Sequence, residues 1–217
     1  MVSRQPIRRE RMVQQLEERG IASRLVLGAM GRIPRESFVE EALRAKAYSD
    51  AALPIGETQT ISQPWIVARM SELLSPDGNG KVLEIGSGSG YQAAVLALLF
   101  ERVYSVERIP AFSQRARGAL RELGMQNAHF KIFDGSYGWS EFAPYRAILV
   151  TAAVPQIPPP LIEQLEEGGI LVAPVGMSGE QEEQTLVRVI KRGNQLKREE
   201  HGSCRFVPLR GRFGLPG

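Results

Sequence analysis

Apolar positions recur with a helical period at the start of the chain. Met12, Val13 and Leu16 share one face, then Leu25, Val26 and Met30, then Phe38, Val39 and Leu43. Gly20, Gly31 and Pro34 punctuate these runs, so helices are expected through most of residues 1–75. Residues 52–64 interrupt the pattern with turn formers and β-branched side chains, and cannot be helical. Pro64 suits the first position of a new helix. Ile66, Val67, Met70, Leu73 and Leu74 give that helix its apolar face.

The pattern then alternates. After a turn at residues 76–80, short strand-like runs are expected at 81–85, 102–107, 128–133, 146–151 and 169–175. Helical runs at 91–100, from Pro110 to about Leu123, and at 161–167 lie between them. This alternation predicts an α/β fold, a mostly parallel sheet with helices on both faces. Residues 183–191 and 196–201 read as strands around a hairpin turn at Arg192-Gly193-Asn194, and 204–209 as a last short strand. Antiparallel strands of this kind often edge such sheets. The organisation expected is one domain over 1–217: a helical extension with a loop (1–75), an α/β core (76–175) and a C-terminal β segment (176–217).

Composition narrows the class. The chain has 217 residues, 43% hydrophobic and 24% charged, which excludes a disordered tail, a fibre or a disulfide scaffold. Its single cysteine, Cys204, can form no internal disulfide and suits a reducing compartment. The longest apolar stretch, residues 91–100, is far short of the roughly 20 residues a membrane helix needs. Arg8, Arg9, Glu10 and Arg11 occupy the place of a signal peptide's apolar run. A cytoplasmic location is therefore expected.

Net charge is +3, with a pI near 9.2. A basic pI invites a nucleic-acid reading. Residues 1–12 contribute +3 through Arg4, Arg8, Arg9 and Arg11 against Glu10, and residues 188–212 contribute +6, which leaves −6 for the middle. The C-terminal cluster reads as a solvated hairpin face, because no aromatic residues interleave residues 188–198 as a stacking platform would require. No nucleic-acid or membrane partner is expected.

Residues 86–90, Gly-Ser-Gly-Ser-Gly, follow one expected strand and open a helix. Glycines there let the backbone turn tightly and approach a ligand. A dinucleotide fingerprint would place its third glycine at position 91, which is Tyr91, and no cationic side chain makes the loop a phosphate cradle. Glu84 precedes the loop, and Glu107 ends the next strand, 21 residues after Gly86, where a carboxylate can accept both ribose hydroxyls of an adenosine-containing ligand. Asp134-Gly135 follows the third strand of the core, where Asp134 could accept from an adenine amino group. Taken alone, the loop also serves as a plain strand-to-helix turn and Asp134-Gly135 as a plain Asp-Gly turn.

The pattern Glu-x-Gly-x-Gly-x-Gly resembles the first motif of Rossmann-like S-adenosylmethionine (AdoMet) methyltransferases. The nucleophile then decides which protein groups are needed. The fourth core strand ends Val150-Thr151-Ala152-Ala153-Val154-Pro155, without the Asp/Asn-Pro-Pro-aromatic run that accompanies amino-group methylation of bases. Cys204 reads as a small buried residue, and His129 and His201 as structural. A carboxylate nucleophile needs no base: it is ionised at pH 7 and has only to be oriented, with water excluded.

Residues 53–64, ending Gln59-Thr60-Ile61-Ser62-Gln63-Pro64, together with residues 82–97, resemble the bacterial protein-L-isoaspartate O-methyltransferases. Further matches lie at 103–109, 150–153, 164–172, 174–176 and 205–209, so the resemblance covers nearly the whole chain. It implies a Rossmann-like AdoMet-dependent methyltransferase fold. It also implies methylation of the free α-carboxylate of L-isoaspartyl (and D-aspartyl) residues in damaged proteins, with AdoMet as donor. The methyl ester then closes to a succinimide without the enzyme. The resemblance assigns Ser62 as the active-site serine. It places Thr60, Ile61, Ser62, Glu84, Gly86, Ser87, Gly88, Gly90, Glu107, Arg108, Asp134 and Gly135 around the cofactor, and Gln59, Thr60, Ser62, Val207, Pro208 and Leu209 around the peptide. No metal is implied, and a monomer is expected. Two departures stand out: Glu57-Thr58 follows Gly56 where the family usually has Gly-x-Gly, and Phe133 replaces the glycine usual before Asp134. Judged by spacing alone, Ser62 reads as a helix cap ahead of Pro64. An AdoMet methyltransferase acting on RNA or a small molecule, and a non-catalytic protein binding nucleic acid through its basic ends, are the alternative readings.

Overall fold

The computed structural model describes residues 5–177, 183–193 and 195–215. Arg4 and Asn194 therefore lie outside the described residues. The chain begins with two helices, α1 (Gln5–Glu18) and α2 (Arg24–Arg32). Met12 and Leu16 are buried on α1, and Val26 and Met30 on α2, as their spacing predicts. Leu25 faces solvent, with 53% of its surface exposed. The third expected run, around Phe38 and Leu43, is not an α-helix. Val39 is extended and splits the segment into two 3-10 turns, Arg35–Phe38 and Glu41–Lys46. Neither half is long enough to nucleate a stable α-helix without tertiary support.

Residues 52–64 form a small hairpin, β1 (Leu53–Gly56) and β2 (Gln59–Ile61), which leads into α3 (Pro64–Leu73). Pro64 takes the first helical turn as expected. All five predicted apolar positions of this segment are buried.

The core elements follow in alternation: β3 (Lys81–Ile85), α4 (Tyr91–Ala97), β4 (Arg102–Glu107), α5 (Pro110–Glu122), β5 (Ala128–Ile132), β6 (Tyr145–Val150) and α6 (Pro159–Glu163). The chain ends in β7 (Leu165–Val175), β8 (Gln184–Arg192) and β9 (Gln195–Cys204). The seven-stranded sheet has the order β5-β4-β3-β6-β7-β8-β9. β3 to β7 run parallel, and β8 and β9 add antiparallel pairs at one edge. β4 lies on one side of β3 and β6 on the other, so the order reverses at β3. Ligands in open α/β sheets bind at the carboxyl ends of the strands at such a switch point.

Alternating side chains divide the interior into two cores. Val82, Val103, Ala147 and Leu149 face the layer of α1 to α5. Leu83, Ile85, Tyr104, Val106, Ile148 and Val150 face α6 and the segment carrying Trp139 and Phe142.

Two other expectations change. The helix expected over 161–167 stops at Glu163, and Leu165 already pairs with Tyr145. Pairing resumes at Ala147 opposite Ile170, so Glu166 to Gly169 form an irregularity inside a long strand. Gly168, at φ +75°, lets the backbone adopt it. The strand expected over 204–209 does not form: β9 runs to Cys204, and isolated bridges follow, Ala153 with Pro208 and Arg210 with Leu215.

The basic C-terminal hairpin is only partly a solvated face. Arg188 donates to the Leu73 carbonyl and pairs with Glu199. Lys191 donates to the carbonyls of Ile162 and Leu165. Lys197 and Arg198 remain exposed. No helix among the described residues is long and apolar enough to cross a membrane.

Candidate functional site

A cleft of about 400 Å³ opens over the carboxyl ends of β3, β4 and β6. That volume lies within the range of small-molecule sites, roughly 300–1,000 Å³. One wall is the β1–β2 hairpin and the residues after it, from Glu57 to Ser62. The floor is the glycine loop, with Glu107, Arg108 and Gly135 beside it. The far wall is Phe206 to Arg210.

The loop is fixed by close approaches. Gly86 has φ +95°, and a Cβ there would meet Thr151 Oγ1 at 2.6 Å. That hydroxyl donates within reach of the carbonyls of Ile85 (2.9 Å) and Gly86 (2.7 Å), pinning the loop to the end of β6. Ser87 is buried on the cleft, and its Oγ has no hydrogen-bond partner among the described residues. Glu107 is also buried, with both carboxylate oxygens engaged: the amides of Gly88 (3.0 Å) and Ile109 (2.9 Å) donate to them. Its carboxylate thus ties the tip of the loop to the end of β4 and keeps further acceptor capacity toward the cleft. Arg108 beside it is exposed.

Gln59, Thr60, Ile61, Ser62, Gly86, Ser87, Gly88, Glu107, Arg108, Gly135, Val207, Pro208 and Leu209 all line this cleft. Three expected site residues do not. Gly90 opens α4 at φ +89°, and a Cβ there would lie 2.8 Å from the Ala116 Cβ. Its glycine serves the packing of α4 against α5. Asp134 is taken up locally: its carboxylate accepts from the amide and hydroxyl of Ser136 and from the amide of Arg212. It caps the following 3-10 turn and fastens the C-terminal segment.

Glu84 is the third. It lies inside the sheet with no exposed surface. Ser105 Oγ donates to its Oε2 at 2.5 Å, and Oε1 has no partner among the described residues. Burial pushes its pKa from 4.5 up to about 8, the Ser105 hydrogen bond works against this, and the nearby Glu107 charge adds to it. The Glu84 carboxyl therefore keeps its proton at neutral pH.

Ser62 does not cap α3. The capping position is Gln63, which makes no side-chain cap bond, and the Trp65 amide donates instead to Asp50 Oδ1 at 2.9 Å. The Ser62 hydroxyl makes no hydrogen bond among the described residues. The turn before it carries strain: Glu57 and Thr58 both have positive φ, at +49° and +56°. For a β-branched residue such as Thr58 this is an outlier.

The far wall narrows what it can offer. The Ala153 amide donates to the Val207 carbonyl and the Leu209 amide to the Ala153 carbonyl, each at 2.8 Å. Pro208 has no N–H, so its single free group toward an extended peptide is a carbonyl.

The groups excluded from chemistry by sequence lie elsewhere. His129 is exposed and stacks on Tyr104, and His201 sits between Arg69 and Glu199. Cys204 is half-buried rather than buried, and burial pushes its thiol up to about 11. Among the described residues no group of three or more His, Cys, Asp or Glu could hold a metal. Sequence reasoning missed Arg35, a fully buried arginine that donates to the Ser62 carbonyl, because an arginine ahead of a polar segment reads as surface. It also passed over Thr151 as a site residue, although its place at the end of a core strand was a usable signal.

The comparisons converge. The family model described as protein-L-isoaspartate(D-aspartate) O-methyltransferase matches residues 7–214. The chain is 56% identical to protein-L-isoaspartate O-methyltransferase 2 of Geotalea uraniireducens, over 97% of each chain. It is 54% identical to protein-L-isoaspartate O-methyltransferase of Geobacter metallireducens, over 96% of each. A solved protein-L-isoaspartate O-methyltransferase superimposes with a TM-score of 0.86 at 32% identity, covering 95% of this chain and 67% of that one. A beta-aspartate methyltransferase from Plasmodium falciparum, solved with S-adenosyl-L-homocysteine, shares the fold at TM-score 0.77 and 22% identity, over 93% of this chain and 98% of that one.

Proposed function

The chain belongs to the protein-L-isoaspartate(D-aspartate) O-methyltransferase family, and on that premise we propose that it methylates the free α-carboxylate of isoaspartyl residues in damaged proteins, using AdoMet. The observation that carries this reading is one cleft shared by Gln59–Ile61 with Ser62, the glycine loop and Glu107. The residues fit the donor. Ser87 Oγ is buried there without a partner, the loop backbone turns at glycines, and the Glu107 carboxylate keeps free lone pairs for ribose hydroxyls. Bound there, AdoMet would supply an activated methyl group, its carbon–sulfur bond breaking as the isoaspartyl carboxylate becomes the methyl ester, with S-adenosyl-L-homocysteine left behind.

The protein supplies orientation rather than a base. An α-carboxyl with a pKa of about 3.5 is already ionised at neutral pH. The Ser62 hydroxyl, free of any capping duty, donates to that carboxylate and aims it. The hairpin and the wall at Val207 and Pro208 exclude water and hold the peptide, with Pro208's carbonyl accepting from its backbone. Gly135 takes the adenine side; a Cβ there would meet Ile85 Cγ2 at 2.6 Å, so the position admits no side chain. The Asp134 carboxylate is engaged with Ser136 and Arg212 and falls outside the residues lining the cleft.

The test uses labelled AdoMet and paired peptides that differ only in Asp against isoAsp. Base-labile methyl incorporation is expected in the isoaspartyl peptide alone. Equal incorporation in the pair, or none, overturns the proposal. Ser62→Ala is expected to lose turnover by about 10- to 100-fold, the effect of losing one aligned donor, with AdoMet affinity largely kept.

A further inference from the structure

Arg35 is a charged side chain with no exposed surface. No carboxylate forms an ion pair with it among the described residues. Its Nε donates to the Ala47 carbonyl at 2.7 Å and its Nη2 to the Ser62 carbonyl at 2.6 Å. The guanidinium carbon lies 4.7 Å from the centre of the Tyr91 ring. The remaining nitrogen, Nη1, is buried without a hydrogen-bond partner among the described residues. Burial pushes the guanidinium's pKa below its ordinary value, yet an arginine stays protonated.

Stability alone does not account for this arrangement. Taking a charge out of water without a counter-ion is costly, and a well-packed apolar side chain does the same filling at less cost. The partners tell more. Ala47 ends the segment after the second 3-10 turn. Ser62 is the residue proposed to orient the attacking carboxylate. Tyr91 is the first residue of α4, directly after the glycine loop. The guanidinium thus touches both the substrate side, at Ser62, and the cofactor side, at Tyr91, behind the cleft wall. Among the described residues, Arg35 is also the one side chain that hydrogen-bonds Ser62.

We propose that Arg35 is a positioning residue that fixes the Ser62 backbone against Tyr91 and so sets the Ser62 hydroxyl relative to the glycine loop. It acts through Ser62 and touches no reactant. The planar fork is needed because its nitrogens reach two carbonyls and a ring face at once, which an ammonium cannot do. The inference rests on the proposed role of Ser62.

The experiment is a double-mutant cycle with the full chain. Arg35→Lys keeps the charge without the fork. Arg35→Gln keeps an N–H donor without the buried charge. Each is made alone and with Ser62→Ala. For each protein, kcat and KM for an isoaspartyl peptide, AdoMet affinity by calorimetry, and the thermal unfolding transition are measured. In the Ser62 background of the native chain, kcat is expected to fall about 10- to 100-fold, the scale of an ångström-sized misplacement, while AdoMet affinity changes less than about threefold. In the Ser62→Ala background the same substitution is expected to add less than about twofold, because residues acting through one group are not additive. Multiplying effects in the double variants, an unchanged kcat, or loss of the folded transition in both Arg35 variants would each overturn the positioning role. If Ser62→Ala alone leaves kcat intact, the Ser62 role is what fails, and the Arg35 inference falls with it. If Ser62→Ala is impaired but the effects multiply, only the Arg35 inference fails.

Discussion

Replacing Glu84 by Gln measures what it costs to keep an acid inside the sheet. Glu84 pairs with Ser105 on β4 and Leu149 on β6, at the centre of the strand order. In the unfolded chain its carboxyl ionises near 4.5, and in the folded protein near 8. Between those values the unfolded chain has released the proton and the folded one still holds it. The stability due to this group is therefore whole below pH 4.5, falls as the pH rises toward 8, and is gone above. At about 1.4 kcal/mol per pH unit, the loss across that window is about 5 kcal/mol. Gln is neutral throughout and removes the dependence. Glu84→Gln is expected to match the native protein near pH 5 and to exceed it by several kcal/mol near pH 8, which for a chain of this size moves the melting temperature by roughly 10 °C. Urea unfolding of both proteins at pH 5, 6.5 and 8 provides the check. Parallel stability profiles for the two proteins would refute the reasoning and show that Glu84 is ionised in the fold. Ser105→Ala should push the carboxyl higher still and extend the native loss of stability to higher pH, because that hydroxyl's bond favours the ionised form.

Other positions make separate demands. Gly90→Ala forces a Cβ to within 2.9 Å of the Ala116 backbone at a positive φ, and is expected to cost about 3 kcal/mol of stability, the scale of overpacking a core, read as a lower urea midpoint. Asp134→Ala frees the amides of Ser136 and Arg212, and is expected to destabilise by about 1–2 kcal/mol and to speed tryptic cleavage at Arg210 and Arg212. AdoMet affinity should survive that change within a few-fold, since the carboxylate is turned to the C-terminal segment; a loss of binding would return Asp134 to the cofactor site. Cys204, with its thiol pushed up to about 11, is expected to react with a thiol reagent at pH 8 far more slowly than a free thiol, and fast labelling would contradict its burial.

The two departures from the family pattern acquire physical content in the fold. Glu57-Thr58 keeps the left-handed turn that glycine would make without strain, so this hairpin is stiffer than its glycine-rich counterpart. Phe133 lies partly exposed beside Tyr137, with the Lys131 ammonium 4.5 Å from its ring centre, and it falls outside the residues lining the cleft.

The core of the fold was legible because its signals are local. Strands 81–85 and 102–107, the helix from Pro110 and the loop between Ile85 and Tyr91 follow from period, glycine and proline, which act within a few residues. The chemistry of the cleft was legible for a similar reason: Gly86, Gly88 and Glu107 keep a fixed spacing because a strand, a turn and a helix of set length separate them. What the sequence could not carry depends on neighbours far along the chain. Glu84 and Gly90 belong to the same motif as Gly86, yet the sheet buries one and α5 crowds the other. Asp134 is held by the amide of Arg212, 78 residues on, and falls outside the cleft lining. Leu165 left its expected helix because Tyr145 offered a strand partner, and the segment near Phe38 broke into short turns where Arg35 reaches inward to Ala47 and Ser62. Local pattern determined the elements and the order of the loops. Long-range burial and hydrogen bonding, which no short window of sequence contains, decided which side chains of those loops face the cleft and which hold it in place.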